Sequence, residues 1–206
     1  MKKLNIIYIL LFLVLGFSFT SCETTELELL DDPNDITGEK ADLNRFMNQI
    51  QVDFGDFTER IGDFGAQVTR IEYMFGRTYI NNYEGVNSNT LWALAYQGMF
   101  SDMKEATAIA MADEEDIQNK HIGVMQVLKA YTLMTLVDFY GDIPLSEATN
   151  PSEFPFPHVD DDATVYAAAI QMLDDAIVSL NQDGPNLEND FYYDNDFSKW
   201  IRLANT

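Results

Sequence analysis

Six residues between positions 79 and 96 carry side chains suited to sugar recognition: Tyr79, Asn81, Asn82, Tyr83, Trp92 and Tyr96. Aromatic faces pack against sugar C–H groups, and amides bond sugar hydroxyls. Two readings compete for Trp92 and Tyr96. They sit four apart, so they are neighbours on a helix surface and could equally be core aromatics. Tyr79 to Tyr83 lie beside Gly85, Asn87 and Asn89, a run of turn formers. Binding residues concentrate on loops carried by a rigid scaffold, so the loop positions are the stronger candidates.

Other chemistry has less support. His121 falls on the apolar face of a predicted helix, where a hydrogen-bonded core histidine is the ordinary outcome. His158 lies in a proline-rich loop with no second histidine nearby, and Cys22 is the single cysteine, so no zinc site is expected. Asp190, Asp194 and Asp196 could hold calcium, but no loop has EF-hand spacing, and solvated acids are the default there. No nucleophile motif or glycine-rich phosphate loop is present. A glycosidase-type acid pair cannot be picked from 34 carboxylates without geometry. The expectation is a non-enzymatic protein with no catalytic residue, metal or cofactor.

Cys22 has a different chemistry. Lys2 and Lys3 precede an unbroken apolar run from Ile6 to Leu15, and the small residues Thr20 and Ser21 stand before Cys22. This is the three-part pattern of a secretory signal. The run is shorter than the roughly 20 apolar residues of a membrane span, and no other segment is read as a span. Phe19-Thr20-Ser21-Cys22 resembles a bacterial lipobox in a form common in Bacteroidetes. Cleavage between Ser21 and Cys22, with lipid on Cys22, follows from that likeness. Residues 22–38 form an acidic tether. Glu23, Glu26, Glu28, Asp31 and Asp32 suffice as a solvated linker, and they also resemble the signal that sends such lipoproteins to the outer face of the outer membrane.

Removing residues 1–21 takes away two of the twelve basic residues and no acid, leaving ten Lys and Arg against 34 Asp and Glu, a formal charge of −24. Such a surface repels phosphates, so nucleic acid is not a partner.

The remaining residues, 39–206, read as one all-α domain. Leu43, Phe46, Met47, Ile50 and Phe54 keep helical spacing. A second helix is expected over Phe57 to Phe75, with Ile61, Phe64, Val68 and Ile71 inward. After a loop from Gly76 to Asn89, helices are predicted over 90–112 and 114–140, the latter capped by Asp113 to Asp116 and central in the fold. Tyr131 and Thr135 share its buried register with Val124 and Leu128. Pro144, Pro151, Pro155 and Pro157 exclude a helix over 141–162. Asp160 to Asp162 offer caps for a helix over 163–181, and a last helix opens near Phe197. The expected pairs are 90–112 with 114–140, then 163–181 with the helix at 197, a tetratricopeptide-like arrangement.

The stretch from Lys129 to Ala148 contains Tyr140-Gly141-Asp142-Ile143-Pro144-Leu145 and then Ser146-Glu147-Ala148. With Asp31-Asp32-Pro33-Asn34, Trp92 and Phe197-Ser198-Lys199-Trp200, it resembles the SusD/RagB family of nutrient-binding outer-membrane lipoproteins. The resemblance implies a helical fold and capture of glycan or peptide nutrients at the cell surface. It also implies a SusC-like TonB-dependent transporter as partner and a membrane anchor through lipid. A helical-repeat scaffold that binds other proteins, and a non-functional fragment, are the alternatives. Tyr140, Gly141, Asp142 and Pro144 read best as a helix stop: Gly141 in a left-handed conformation, Asp142 on local N–H groups, Pro144 blocking resumption. Family members are roughly twice as long, so the chain is expected to be an N-terminal portion, incomplete at its C-terminus and poorly folded alone.

Overall fold

The structure, a computed structural model, describes residues 42–73 and 89–206. The signal segment, Ser21, Cys22, the acidic tether, Tyr79, Asn81, Asn82 and Tyr83 lie outside the described residues. The described residues belong to one unit, Ala41–Thr206.

The first helix, α1, runs unbroken over Leu43–Val68, its start capped by Asp42, whose side chain accepts from the Asn44 N–H. The expected break near Gly55 does not occur. Met47, Ile50, Phe54, Phe57 and Ile61 form one buried stripe across it, and their burial outweighs a glycine cost of about 1 kcal/mol. The helix stops at Val68, with Arg70 at φ 63° just beyond. Ile71 is therefore 82% exposed and not on the buried face.

The expected helix over 90–112 is divided. Helix α2 spans Asn89–Trp92, a π-helical stretch spans Ala93–Phe100, and α3 spans Ser101–Ala110. Leu91, Ala95, Met99 and Met103 are buried at steps of four. The wider π turn keeps such steps on one face longer than an α-helix does. The Ser101 hydroxyl donates to the Tyr96 carbonyl, five residues back.

Helix α4 covers Asn119–Tyr140, starting later than expected. Asp113 instead caps a local turn through the Glu115 N–H, and Gln118 at the helix start makes no side-chain cap bond. The helix is central: it touches α1, α3, α5 (Asp162–Asn181) and α6 (Phe197–Ala204). Tyr131 departs from its predicted burial and is 41% exposed. Asp161 caps α5 as anticipated, accepting from the Thr164 N–H.

The main helix pairs are shifted by one from the expected order, although α5 also packs on α6 as expected. Helix α1 packs on the π stretch and α3, while α4 packs on α5. The α4–α5 pair is antiparallel, since Lys120 Nζ donates to the Leu180 carbonyl and Ile143 bridges Asp160 near the opposite end. Gly123 permits the close approach: a Cβ there would meet Leu180 Cγ at 2.6 Å and the Ala176 carbonyl at 3.1 Å. Helix α1 runs parallel to α4. Successive contacts join Asn44 to His121, Phe54 to Tyr131 and Phe64 to Phe139. Local sequence cannot report this layout, because it depends on contacts about 75 positions apart.

Among the described residues there is no strand, only the Ile143–Asp160 bridge, so the all-α expectation holds. One sequence reading is corrected. Helices α4 and α5 are long and apolar enough to cross a bilayer by length and composition. In α4 that character is accounted for by its place in the core, where Val124, Leu128, Leu133 and Leu136 are buried.

Candidate functional site

Two walls enclose an open cleft of about 440 Å³. Asn89, Trp92, Ala93, Tyr96 and Gln97 form the helical wall. Pro144, Ala148, Thr149 and Pro157 form the other, on the proline loop. Every one of these side chains is uncharged.

The helical wall is set by α2 and the π stretch. Leu91 and Ala95 are buried, which leaves Trp92 and Tyr96 half-buried beside them. The two rings stack at 5.1 Å between centroids and 18° between planes. Tyr140 lies 5.2 Å from Trp92, and Phe100 packs edge-on against Tyr96. Trp92 and Tyr96 pack on the core, as one of the two sequence readings held, and they also line the cleft. The Tyr96 hydroxyl is committed to the fold, donating to the Pro144 carbonyl at 2.7 Å. Burial, helped by the nearby Asp160 charge, pushes this phenol well above its ordinary range. The remaining polar groups on the cleft come from Asn89 and Gln97, both exposed, and from Thr149.

The second wall starts at the helix stop. Tyr140 ends α4, and Gly141 takes φ 75°, ψ −122°, a positive-φ conformation that favours glycine but lies away from the expected left-handed helical region. Asp142 reaches further than predicted: it accepts from the Asp162 N–H at the start of α5. Asp160 then accepts from the N–H groups of Leu145 and Ser146 at 2.7 and 2.9 Å and from the Ser146 hydroxyl. Glu147 accepts from both the backbone N–H and Nδ1 of His158. These bonds hold the Asp160 and Glu147 carboxyls below their usual range: chiefly the Ser146 N–H for Asp160, and the His158 N–H for Glu147. His158 is a loop brace in this structure.

The remaining candidates fall elsewhere. His121 is 2% exposed, with Nε2 3.3 Å from Asn44 Oδ1, and burial lowers its pKa. Asn44 Oδ1 also accepts from the Glu188 N–H, so it faces His121 as an acceptor and Nε2 carries the proton. Asp190 is no solvated acid or open calcium ligand. It accepts from the N–H groups of Tyr192, Tyr193 and Asn195 and from the Trp200 indole. Asp142, Asp161 and Asp162 bring carboxylate oxygens within 4.8 Å of one another, all exposed, with Asp142 and Asp161 already accepting backbone N–H groups.

Sequence reasoning missed the Thr149 and Gln97 walls. It also missed Gln51, which is 1% exposed and bonds the Asn189 carbonyl and the Phe191 N–H. A polar residue inside the stripe of Met47, Ile50 and Phe54 was the available signal.

A family model described as SusD-like, starch-binding and associating with the outer membrane matches residues 33–206. The chain belongs to this SusD-like family. Among solved structures, a SusD/RagB family protein from Bacteroides thetaiotaomicron aligns at a TM-score of 0.57 and 24% identity, covering 74% of this chain and 35% of that one. A chitin-binding protein aligns at a TM-score of 0.50 and 26% identity, covering 64% of this chain and 26% of its own. The SusD-like chain thus spans about a third and a quarter of these two relatives. The search of curated proteins gives no match.

Proposed function

We propose that the chain binds neutral glycans in the Trp92–Tyr96 cleft, without turnover, and passes them to a TonB-dependent, SusC-like outer-membrane transporter. The observation that carries this reading is the half-buried Trp92–Tyr96 stack in an open cleft whose described lining residues are uncharged and include two exposed amides. Apolar ring atoms suit sugar C–H surfaces, and Asn89 and Gln97 can bond hydroxyls without the cost of burying a charge. The family description and the chitin-binding relative support glycan over peptide. Lipid on Cys22 would hold the domain on the membrane, with the acidic tether directing it to the cell surface.

Calorimetric titration of the detergent-solubilised full chain with maltohexaose and chitohexaose tests the binding. Gln97→Ala removes an exposed amide and is expected to weaken binding about fivefold, one hydrogen bond's worth. Trp92→Ala is expected to weaken it further, with far-UV circular dichroism confirming the fold. Wild-type affinity in both variants would reject this cleft. Cys22→Ala should abolish incorporation of labelled palmitate and release the protein from the membrane fraction. Co-purification with a barrel transporter from native membranes tests delivery.

A further inference from the structure

Thr149 has a backbone unlike its surroundings. Its φ is 59°, in the left-handed region. The other described non-glycine residues with positive φ have ordinary explanations. Arg70 follows a helix end, and Asp194 and Asn195 are types that tolerate this region. Thr149 is β-branched, which makes it a genuine outlier. Such a conformation persists only where its surroundings over-determine it.

The surroundings do so here. Two residues before it, Glu147 is held by two bonds from His158. One residue after it, the Asn150 carbonyl accepts from the Phe154 N–H at 2.8 Å. Lys104 crosses from α3 and donates from Nζ to the Thr149 carbonyl itself at 2.8 Å. Thr149 is half-buried and lines the cleft opposite Gln97 and Tyr96. Among the described residues its hydroxyl has no hydrogen-bond partner.

We infer that Thr149 is a ligand-contacting residue of this cleft, presenting its hydroxyl to the bound sugar, and that Lys104 is its positioning residue. The inference rests on the proposal that the cleft binds glycan. The strained backbone turns the side chain into the cleft, and the ammonium keeps the carbonyl from swinging away. A glycine would fit the backbone better and supply no contact, so fold stability and binding pull in opposite directions at this position.

The test uses the full chain with maltohexaose and chitohexaose as probes. Thr149→Val keeps the branched shape without the hydroxyl and is expected to weaken binding about fivefold. Thr149→Ser restores it. Thr149→Gly raises the melting temperature while weakening binding, because glycine accepts positive φ without strain. Lys104→Met weakens binding in the wild-type background and adds nothing in the Thr149→Val background, the non-additivity expected if Lys104 acts through Thr149. Lys104→Arg retains affinity. If Gln97→Ala weakens binding while Thr149→Val does not, the Thr149 assignment falls and the cleft proposal stands. If the Lys104 and Thr149 losses simply add, the positioning role falls. If neither probe binds the wild type, both proposals fall together.

Discussion

The loops at residues 141–161 and 182–196 use one device toward different ends. Each follows a long helix, and each is gathered by an aspartate that accepts backbone N–H groups. Asp160 gathers Leu145 and Ser146, groups of its own loop. Asp190 gathers Tyr192, Tyr193 and Asn195 and also takes the indole N–H of Trp200, which is 1% exposed. The second loop is further sewn to α1 by Gln51 and by the Tyr192 hydroxyl, which donates to the Gln51 carbonyl. The first loop is gathered mostly on itself, is tied to the helices by the Tyr96 hydroxyl and Lys104, and leaves a cleft open. An aspartate hub thus shapes a surface when its donors are local, and locks a fold when they include a core side chain.

The largest expected effect separates the hubs directly. Asp190→Ala strands the buried Trp200 indole and several N–H groups, so it should cost about 3 kcal/mol in denaturant unfolding. Asp160→Ala, whose donors can turn to water, should cost no more than about 1 kcal/mol. Equal losses would erase the distinction. Gln51→Leu comes next, at about 2 kcal/mol, because the Phe191 N–H and the Asn189 carbonyl lose their partner at the core edge. Glycan affinity should be unchanged, since Gln51 does not line the cleft.

Acid should divide the loops more gently. His121 is bonded to Asn44, which also holds the Glu188 N–H of the second loop. Burial lowers the His121 pKa, so the neutral ring is favoured in the fold, and its Nδ1 is buried without a partner. Its contribution is therefore complete above the unfolded value of 6.5 and is lost as pH falls below it. Asp160 and Glu147 have depressed values, so their contribution is present above the unfolded 3.8 and 4.5 and fades only as pH falls through that lower range. Hydrogen exchange between pH 7 and 5 should loosen residues 182–196 before residues 141–161. His121→Gln should remove most of that difference. The smallest effect is Asp160→Asn, which keeps one acceptor oxygen. A stability change within about 0.5 kcal/mol is expected, with a measurable loss of affinity for the cleft probes.

Much of this was legible locally. The apolar spacing of Val165, Ala169, Ala176 and Leu180 and the Asp161 cap define α5, and the run from Val124 to Val137 marks α4 as central. Tyr140-Gly141-Asp142 announces the stop that begins the cleft's second wall. What escaped is non-local. Chain order pairs each helix with its successor, yet α1 lies beside both the π stretch and α4. The π stretch escaped because steps of four suit an α-helix almost as well. Trp92 and Tyr96 were visible as chemistry, but Thr149 becomes interesting only through its backbone angle and a lysine 45 positions away. The role of Asp190 is invisible locally because its partners converge only once the loop folds.

The Gln51 bonds also set an order of assembly. Their partners lie 138 and 140 positions downstream. A chain made from its N-terminus therefore completes α1 long before the residues that fasten it have been synthesised. Closing so long a loop is entropically slow compared with docking neighbouring helices. Helix α1 must wait, half-clad, with its polar core residue bonded only to its own turn at Met47. During refolding the Phe191 amide should gain protection late, after the α4–α5 hairpin.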